Sequence, residues 1–115
     1  MSETQISKAI ADFVRKNYPQ VRFTRLQCGL AKGWRGGVIK LSEEGWPDYI
    51  GYLPDGRFIG IEIKDPKGKT AKARKAKQTA RGSDIIAAGG VYIVLTSVED
   101  ARAFFTEISN GKHEI

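Results

Sequence analysis

The sequence contains one cysteine and one histidine among 115 residues, and it has no long apolar run. Cys28 alone cannot form an internal disulfide, which favours a reducing, cytoplasmic setting. One Cys and one His also exclude a zinc site of the usual kind. The longest apolar runs, such as 91–95, are far too short to span a bilayer, and the first residues lack the layout of a secretory signal. We therefore expect no membrane association and, at this length, a single domain over 1–115.

Acidic residues are fewer than basic ones, at 13 against 19, which gives a net charge of +6 and a pI near 9.6. The excess is concentrated, because the stretch from Lys64 to Arg81 carries +7 and the rest of the chain sums to −1. Concentrated positive charge is typical of a surface that contacts phosphates. The alternative is a solvated helix face without a ligand.

Hydrophobic periodicity and turn residues predict seven elements. Ser2 caps a helix over 2–17 and forms a capping box with Gln5. The glycine-rich stretch 29–37 is predicted to be a loop. The other predicted elements are strands at 21–28, 48–53, 58–64 and 91–95, the last apolar on both faces, and helices at 69–88 and 98–109. This order predicts an α/β fold with a mixed central sheet flanked by helices.

The strand over 58–64 places chemistry on one face. Side chains alternate along a strand, so Ile59, Ile61 and Ile63 should face the core. Glu62 and Lys64 then share the opposite face, two residues apart. A Glu-x-Lys pair on a strand is, by itself, most often an exposed ion pair.

A hairpin turn at 54–57 brings a second carboxylate to the same place. A turn over all four residues puts Asp48 opposite Ile63, and a turn shorter by one residue puts it opposite Glu62. Both registers bring Asp48 and Glu62 close together, since opposed Cβ atoms lie about 5 Å apart. Two carboxylates beside Lys64 suit a hard divalent cation, of which Mg²⁺ is the expected one.

The combined pattern resembles the virus-type replication-repair nuclease domain of the PD-(D/E)xK nuclease superfamily. The resemblance covers nearly the whole chain and is strongest from Gly45 to Gly90. The motifs that carry it are Gly45-Trp46-Pro47-Asp48, Asp55-Gly56-Arg57, Ile61-Glu62-Ile63-Lys64, Gly68, Gln78 and Gly89-Gly90.

This resemblance implies a restriction-endonuclease-like αβββαβ core and a homodimeric endonuclease of a bacterial or phage-infected cell. Asp48, Glu62 and Lys64 would be its catalytic set. Mg²⁺ would be the cofactor, with Mn²⁺ able to substitute. The expected activity is cleavage of branched DNA, with four-way Holliday junctions as the first choice. The implied context is DNA repair or recombination.

Two further residues match positions of the family pattern. Glu3 matches an acid on the first helix, and its spacing from Ile6 and Ile10 puts it on the inward stripe. The alternative for Glu3 is a favourable interaction with the helix dipole. Gln78 matches a helix glutamine that would orient a water or a phosphate, and its alternative is an ordinary exposed residue.

The expected metal ligands are Asp48, Glu62, the backbone carbonyl of Ile63, and Glu3, directly or through a water. Trp34 is the candidate for insertion into a DNA junction or groove. The expected DNA-binding residues are Lys32, Trp34, Arg35, Lys67, Lys69, Lys72, Arg74, Lys75, Lys77 and Arg81. The alternatives to junction cleavage are a flap, nicking or general DNA nuclease of the same fold, and a non-catalytic DNA-binding protein.

Overall fold

The computed structural model describes residues 2–27, 30–33, 35–41, 43–68 and 72–109. Three helices and a four-stranded mixed sheet form an α/β fold, as the sequence predicts. The elements are α1 (Glu3–Asn17), β1 (Arg22–Arg25), β2 (Leu30–Lys32), β3 (Val38–Lys40), β4 (Tyr49–Tyr52), β5 (Phe58–Ile63), α2 (Lys72–Ala87), β6 (Val91–Leu95) and α3 (Val98–Ser109).

The first helix begins and ends where its local signals require. The Ser2 hydroxyl accepts a hydrogen bond from the backbone N–H of Gln5, and the Gln5 side chain accepts one from the Ser2 backbone, so the predicted capping box is confirmed. The helix ends at Asn17, two residues before Pro19. Its buried stripe, which includes Ile6 and Ile10, packs into the main core.

The sheet has the strand order β1-β4-β5-β6. The pairs β1–β4 and β4–β5 are antiparallel, and β5–β6 is parallel, with α2 forming the connection between the two. Helices α1 and α3 contribute to the core that contains the isoleucines of β5, and α2 covers the opposite face, where Ile85 approaches Gly60. The middle strand β5 is therefore covered on both sides.

The sequence predicts a loop over 29–37, and this prediction is wrong at residues 30–32, which form strand β2. Strands β2 and β3 pair antiparallel, with Leu30 opposite Lys40 and Lys32 opposite Val38. The glycines occupy the connection itself, where the Gly33 N–H donates to the Gly37 carbonyl and Gly36 has a φ of 86°. A positive φ is inexpensive only for glycine, so these residues form the turn of a short hairpin.

Strand β6 was predicted to be buried on both faces, and this holds only in part. Val91 and Leu95 are buried, but Val94 is 45% exposed. The strand lies at the edge of the sheet, and Val94 is paired with Glu62 on the face that carries the site.

None of the helices in the described ranges is long and apolar enough to cross a bilayer.

Candidate active site

The hairpin of β4 and β5 sets the spacing of the two carboxylates. Tyr49 pairs with Ile61 and Tyr52 with Phe58, so the same register places Asp48 opposite Glu62. The turn closes through a hydrogen bond from the Leu53 N–H to the Arg57 carbonyl. Of the two registers left open by the sequence, the one with the shorter turn is the one observed.

Backbone contacts hold Asp48 at the end of β4. Its carboxylate Oδ2 accepts a hydrogen bond of 2.7 Å from the Ile63 N–H, and its carbonyl accepts one of 2.8 Å from the Leu26 N–H. The N–H and C=O of one residue in an extended strand point to the same side. The Ile63 carbonyl therefore faces the side of β5 on which Asp48 lies.

Glu62 is buried, with only 2% of its surface exposed, on the β5 face covered by α2. Its Oε2 atom has no hydrogen-bond donor among the described residues. A buried carboxylate oxygen without a donor is costly in a folded protein. This arrangement fits an oxygen reserved for a cation or a proton.

Burial is the main cause that raises the pKa of the Glu62 carboxyl, to about 8. The neighbouring Asp48 side chain raises it further, as expected where strand pairing sets Asp48 opposite Glu62. The positive charges of Lys64 and Arg74 act in the opposite direction, but they are the smaller influence. The raised pKa therefore favours the protonated form of the Glu62 carboxyl at neutral pH.

Gln78 connects the lysine to the carboxylate. Its Oε1 accepts a hydrogen bond of 2.8 Å from Lys64 Nζ, and its Nε2 donates one of 3.3 Å to Glu62 Oε1. Lys64 Nζ also lies 3.8 Å from Glu62 Oε1. Gln78 is only 4% exposed, so it is a buried bridge and not an ordinary surface residue of α2.

The donor set suits a hard cation that retains water. The described residues contain no group of three or more His, Cys, Asp or Glu side chains placed to hold a metal ion. Mg²⁺ is commonly bound through one or two carboxylates, with waters and substrate oxygens completing its octahedron. The carboxyl groups of Asp48 and Glu62, one of whose oxygens has no hydrogen-bond donor in the described structure, fit that requirement. They are too few to coordinate a metal without water or substrate oxygens.

Glu3 lies at the rim of the site. It is exposed, so its predicted place on the buried stripe is wrong, and Ile6 is the first buried residue of that stripe. Glu3 nevertheless lines a small cavity of about 50 Å³ together with Asp48 and Ile63. It also lines a larger cavity beside Lys64 and Gln78. As the one acid in the first turn of α1, it also satisfies the dipole alternative.

Two basic residues of α2 form ion pairs with acidic residues of the segment before β4. Lys77 forms an ion pair of 3.1 Å with Glu44, and Arg81 forms one of 3.3 Å with Glu43. Both partners lie more than thirty residues from their glutamates in the chain, so no local sequence pattern indicates these pairs. The expected DNA-binding residues that are exposed are Lys32, Arg35, Lys67, Lys72, Arg74, Lys75 and Lys77. Trp34 and Lys69 lie outside the described residues.

Other side chains near the site have structural roles. Asp65 accepts a hydrogen bond from the Lys67 N–H, two residues on, and stabilises the turn after β5. The Trp46 ring lies under the Arg81 guanidinium, 4.5 Å from its centroid. Tyr92 was not anticipated near the carboxylates. Burial raises the pKa of the Tyr92 hydroxyl to about 12, and the Glu62 and Asp48 charges add to this effect.

Comparisons with models of protein families, with curated proteins and with solved structures find no match for this chain. Its class is therefore given by its own fold and geometry. It is a small α/β protein with a carboxylate pair, a lysine and a glutamine gathered between β5 and α2.

Proposed function

We propose that this protein is a Mg²⁺-dependent, structure-selective DNA endonuclease of the PD-(D/E)xK type, similar to virus-type replication-repair nucleases. One observation carries the proposal. Strand pairing sets Asp48 opposite Glu62, Lys64 Nζ lies 3.8 Å from Glu62 Oε1, and a buried Glu62 oxygen has no hydrogen-bond donor among the described residues. The succession α1-β1-β4-β5-α2-β6 is compatible with the αβββαβ core of that superfamily, once the β2–β3 hairpin is treated as an insertion.

In this proposal Asp48, Glu62 and the Ile63 carbonyl hold the cation, with Glu3 contributing through a water at the rim. When bound, Mg²⁺ supplies charge neutralisation at the scissile phosphate and activation of a water nucleophile. The Asp48 carboxylate is held for this role by the Ile63 N–H. The net charge of the site also favours it, because a divalent cation removes the repulsion between the two carboxylates.

Lys64 is assigned to the negative charge that develops on the phosphate during cleavage. Its ammonium is a strong donor at a fixed position, because Gln78 holds it at 2.8 Å and Gln78 is itself held by Glu62. A preorganised donor stabilises developing charge without reorganising at the moment of reaction. The products are 5′-phosphate and 3′-hydroxyl ends.

The choice of branched DNA rests on the distribution of charge. Exposed cations on α2 and in the preceding segment contact phosphates without reading sequence, so affinity should fall steeply with salt. One small site in each chain also calls for a symmetric homodimer if both strands of a junction are cut. Four-way junctions are the first choice of substrate, and flaps or nicked duplexes are the second.

Cleavage of a labelled four-way junction and of a linear duplex of the same sequence, in Mg²⁺ and in EDTA, tests this function. The proposal requires faster cleavage of the junction and none in EDTA. Equal rates would remove the junction preference but leave a general nuclease. Binding of both DNAs without cleavage at any divalent cation concentration would leave only a basic DNA-binding protein.

A further inference from the structure

A cleft of about 370 Å³ lies beside the carboxylate site. Asp48 and Gln78 form part of its wall, and Arg25, Arg74, Trp46 and Leu41 are also among its lining residues. Its volume is in the range of a small-molecule pocket, which begins at roughly 300 Å³. A duplex is far too wide for such a space, but one nucleotide fits it.

Two arginines give this cleft an affinity for phosphate. Arg25 comes from β1 and Arg74 from α2, and neither forms an ion pair with an acid in the part of the chain that the structure describes. This distinguishes them from Lys77 and Arg81, which are neutralised by glutamates. A guanidinium binds a phosphate through two parallel N–H donors, so these arginines are suited to a nucleotide's phosphate.

The remaining wall is suited to a base. Trp46 and Leu41 are partly buried, and the Arg81 guanidinium packs on the Trp46 ring, 4.5 Å from its centroid. Glu44 also lines the cleft, but its charge is paired with Lys77. A base of any identity can stack on an aromatic side chain, so this contact does not depend on sequence.

We propose that this cleft receives one unstacked nucleotide of the DNA strand, immediately next to the scissile phosphate at the cation site of Asp48 and Glu62. Its phosphate contacts Arg25 and Arg74, and its base packs against Trp46. The inference deepens the proposed nuclease function and rests on it. It explains a preference for branched DNA, because removing a nucleotide from the stack costs least where that nucleotide is already unpaired.

Mononucleotide binding tests the cleft without cleavage. Uniformly ¹⁵N-labelled protein in EDTA is titrated with thymidine 5′-monophosphate, thymidine or inorganic phosphate, and the Trp46 indole N–H signal is assigned with a Trp34→Phe variant. The monophosphate should shift the Trp46 signal and bind at least tenfold more tightly than thymidine or phosphate. Arg74→Gln and Trp46→Leu should each weaken this binding by tenfold or more.

Arg102→Gln is the matched control, because Arg102 lies on α3, stacked on Phe13 at 4.9 Å and away from the cleft. It should bind the monophosphate like the wild type. Circular dichroism of Trp46→Leu is the check that this variant folds. Arg74 is exposed, so its replacement does not disturb core packing. Equal affinity for phosphate alone, or an unmoved Trp46 signal, would overturn the inference.

Cleavage of a duplex with one unpaired nucleotide, compared with the fully paired duplex, separates the two proposals. Cleavage within one nucleotide of the unpaired position, at least tenfold faster than in the paired duplex and lost in Trp46→Leu, supports both. Mononucleotide binding without cleavage of any DNA overturns the nuclease and keeps the cleft. Equal cleavage of both duplexes with an unmoved Trp46 signal overturns the cleft and keeps the nuclease.

Discussion

Lys64 Nζ donates a hydrogen bond of 2.8 Å to Gln78 Oε1, and this contact joins β5 to α2 at the centre of the candidate active site. The amide of Gln78 has a second partner in Glu62, so one side chain fixes both the ammonium and the carboxylate. Because Gln78 acts through these two groups, we regard it as a positioning residue.

Replacement of Gln78 should therefore slow cleavage strongly while lowering the free energy of unfolding only modestly. In Gln78→Ala we expect cleavage to slow about 10- to 100-fold, while the free energy of unfolding falls by roughly 1–2 kcal/mol through loss of buried hydrogen bonds. Steady-state kinetics and urea unfolding measure the two effects. Gln78→Asn should cleave more slowly than the wild type, because the shorter asparagine side chain cannot reach both Lys64 and Glu62. Gln20→Ala, an exposed glutamine elsewhere, is the control, and equal kinetics in the two alanine variants would contradict the positioning role.

The buried Glu62 carboxyl predicts that stability depends on pH when no divalent cation is present. Its pKa is raised from 4.5 to about 8 in the fold, so the native state holds a proton that the unfolded chain releases. Stability is then highest below pH 4.5 with respect to this group, and it decreases as pH rises towards 8. Each pKa unit corresponds to about 1.4 kcal/mol, so a few kcal/mol should be lost across this window.

Urea unfolding in EDTA between pH 5 and 9 measures this loss. Glu62→Gln should remove most of it, whereas Glu107→Gln, at an exposed position of α3, should keep it. Addition of Mg²⁺ at pH 8 should raise the midpoint for the wild type but not for Glu62→Gln. A pH dependence that is the same in wild type and Glu62→Gln would show that this carboxyl is not the group responsible.

Gly82 illustrates a close approach between α2 and β6. A Cβ at this position would lie 2.6 Å from the Tyr92 ring, too near for any real contact. Alanine is intrinsically the better helix former by about 1 kcal/mol, but overpacking costs typically 1–3 kcal/mol, so we expect Gly82→Ala to destabilise the protein. Thermal unfolding beside Ser83→Ala, at an exposed neighbour, measures this, and a raised melting temperature in Gly82→Ala would disprove the packing argument.

The ion pairs of Glu43 and Glu44 predict a gain of function. These acids neutralise Arg81 and Lys77, which would otherwise be available to phosphates. Exposed pairs contribute little to stability, so Glu43→Gln with Glu44→Gln should fold normally and bind DNA several-fold more tightly at low salt. Fluorescence anisotropy over a salt series measures this, with Glu99→Gln and Glu107→Gln combined as a control that makes the same change in net charge. Unchanged affinity and salt dependence would show that Lys77 and Arg81 do not contact DNA.

Local signals made most of the fold predictable. The capping box of α1 and the placing of the β5 isoleucines in the core, with Glu62 on the other face, follow from short-range patterns, and both are confirmed. Strand β2 falls within a predicted loop because a strand of three residues leaves almost no hydrophobic periodicity. Which of two hairpin registers Asp48 adopts depends on one hydrogen bond at the turn, from Leu53 to Arg57, and no local pattern decides it.

Only the part of the site that lies on paired strands could be predicted from residue spacing. Alternation and hairpin pairing bring Asp48, Glu62 and Lys64 together, as the sequence predicts. The burial of Gln78 depends on how α2 packs over β5, and the Glu43 and Glu44 partners depend on where the 43–46 segment crosses that helix. These are long-range contacts that no local pattern predicts, and Gln78 was expected at the site only through the family resemblance. The catalytic roles themselves stay predictions.

The most direct measurement is the Mg²⁺-dependent cleavage rate of a labelled four-way junction by wild type, Asp48→Ala and Asp12→Ala. Asp12 is an exposed acid of α1 that pairs only with Lys8 in the described structure, so its variant controls for charge. The account predicts that Asp48→Ala binds the junction but cleaves it at least a thousandfold more slowly, while Asp12→Ala retains the wild-type rate. A folded Asp48→Ala protein that cuts the junction as fast as the wild type would contradict it.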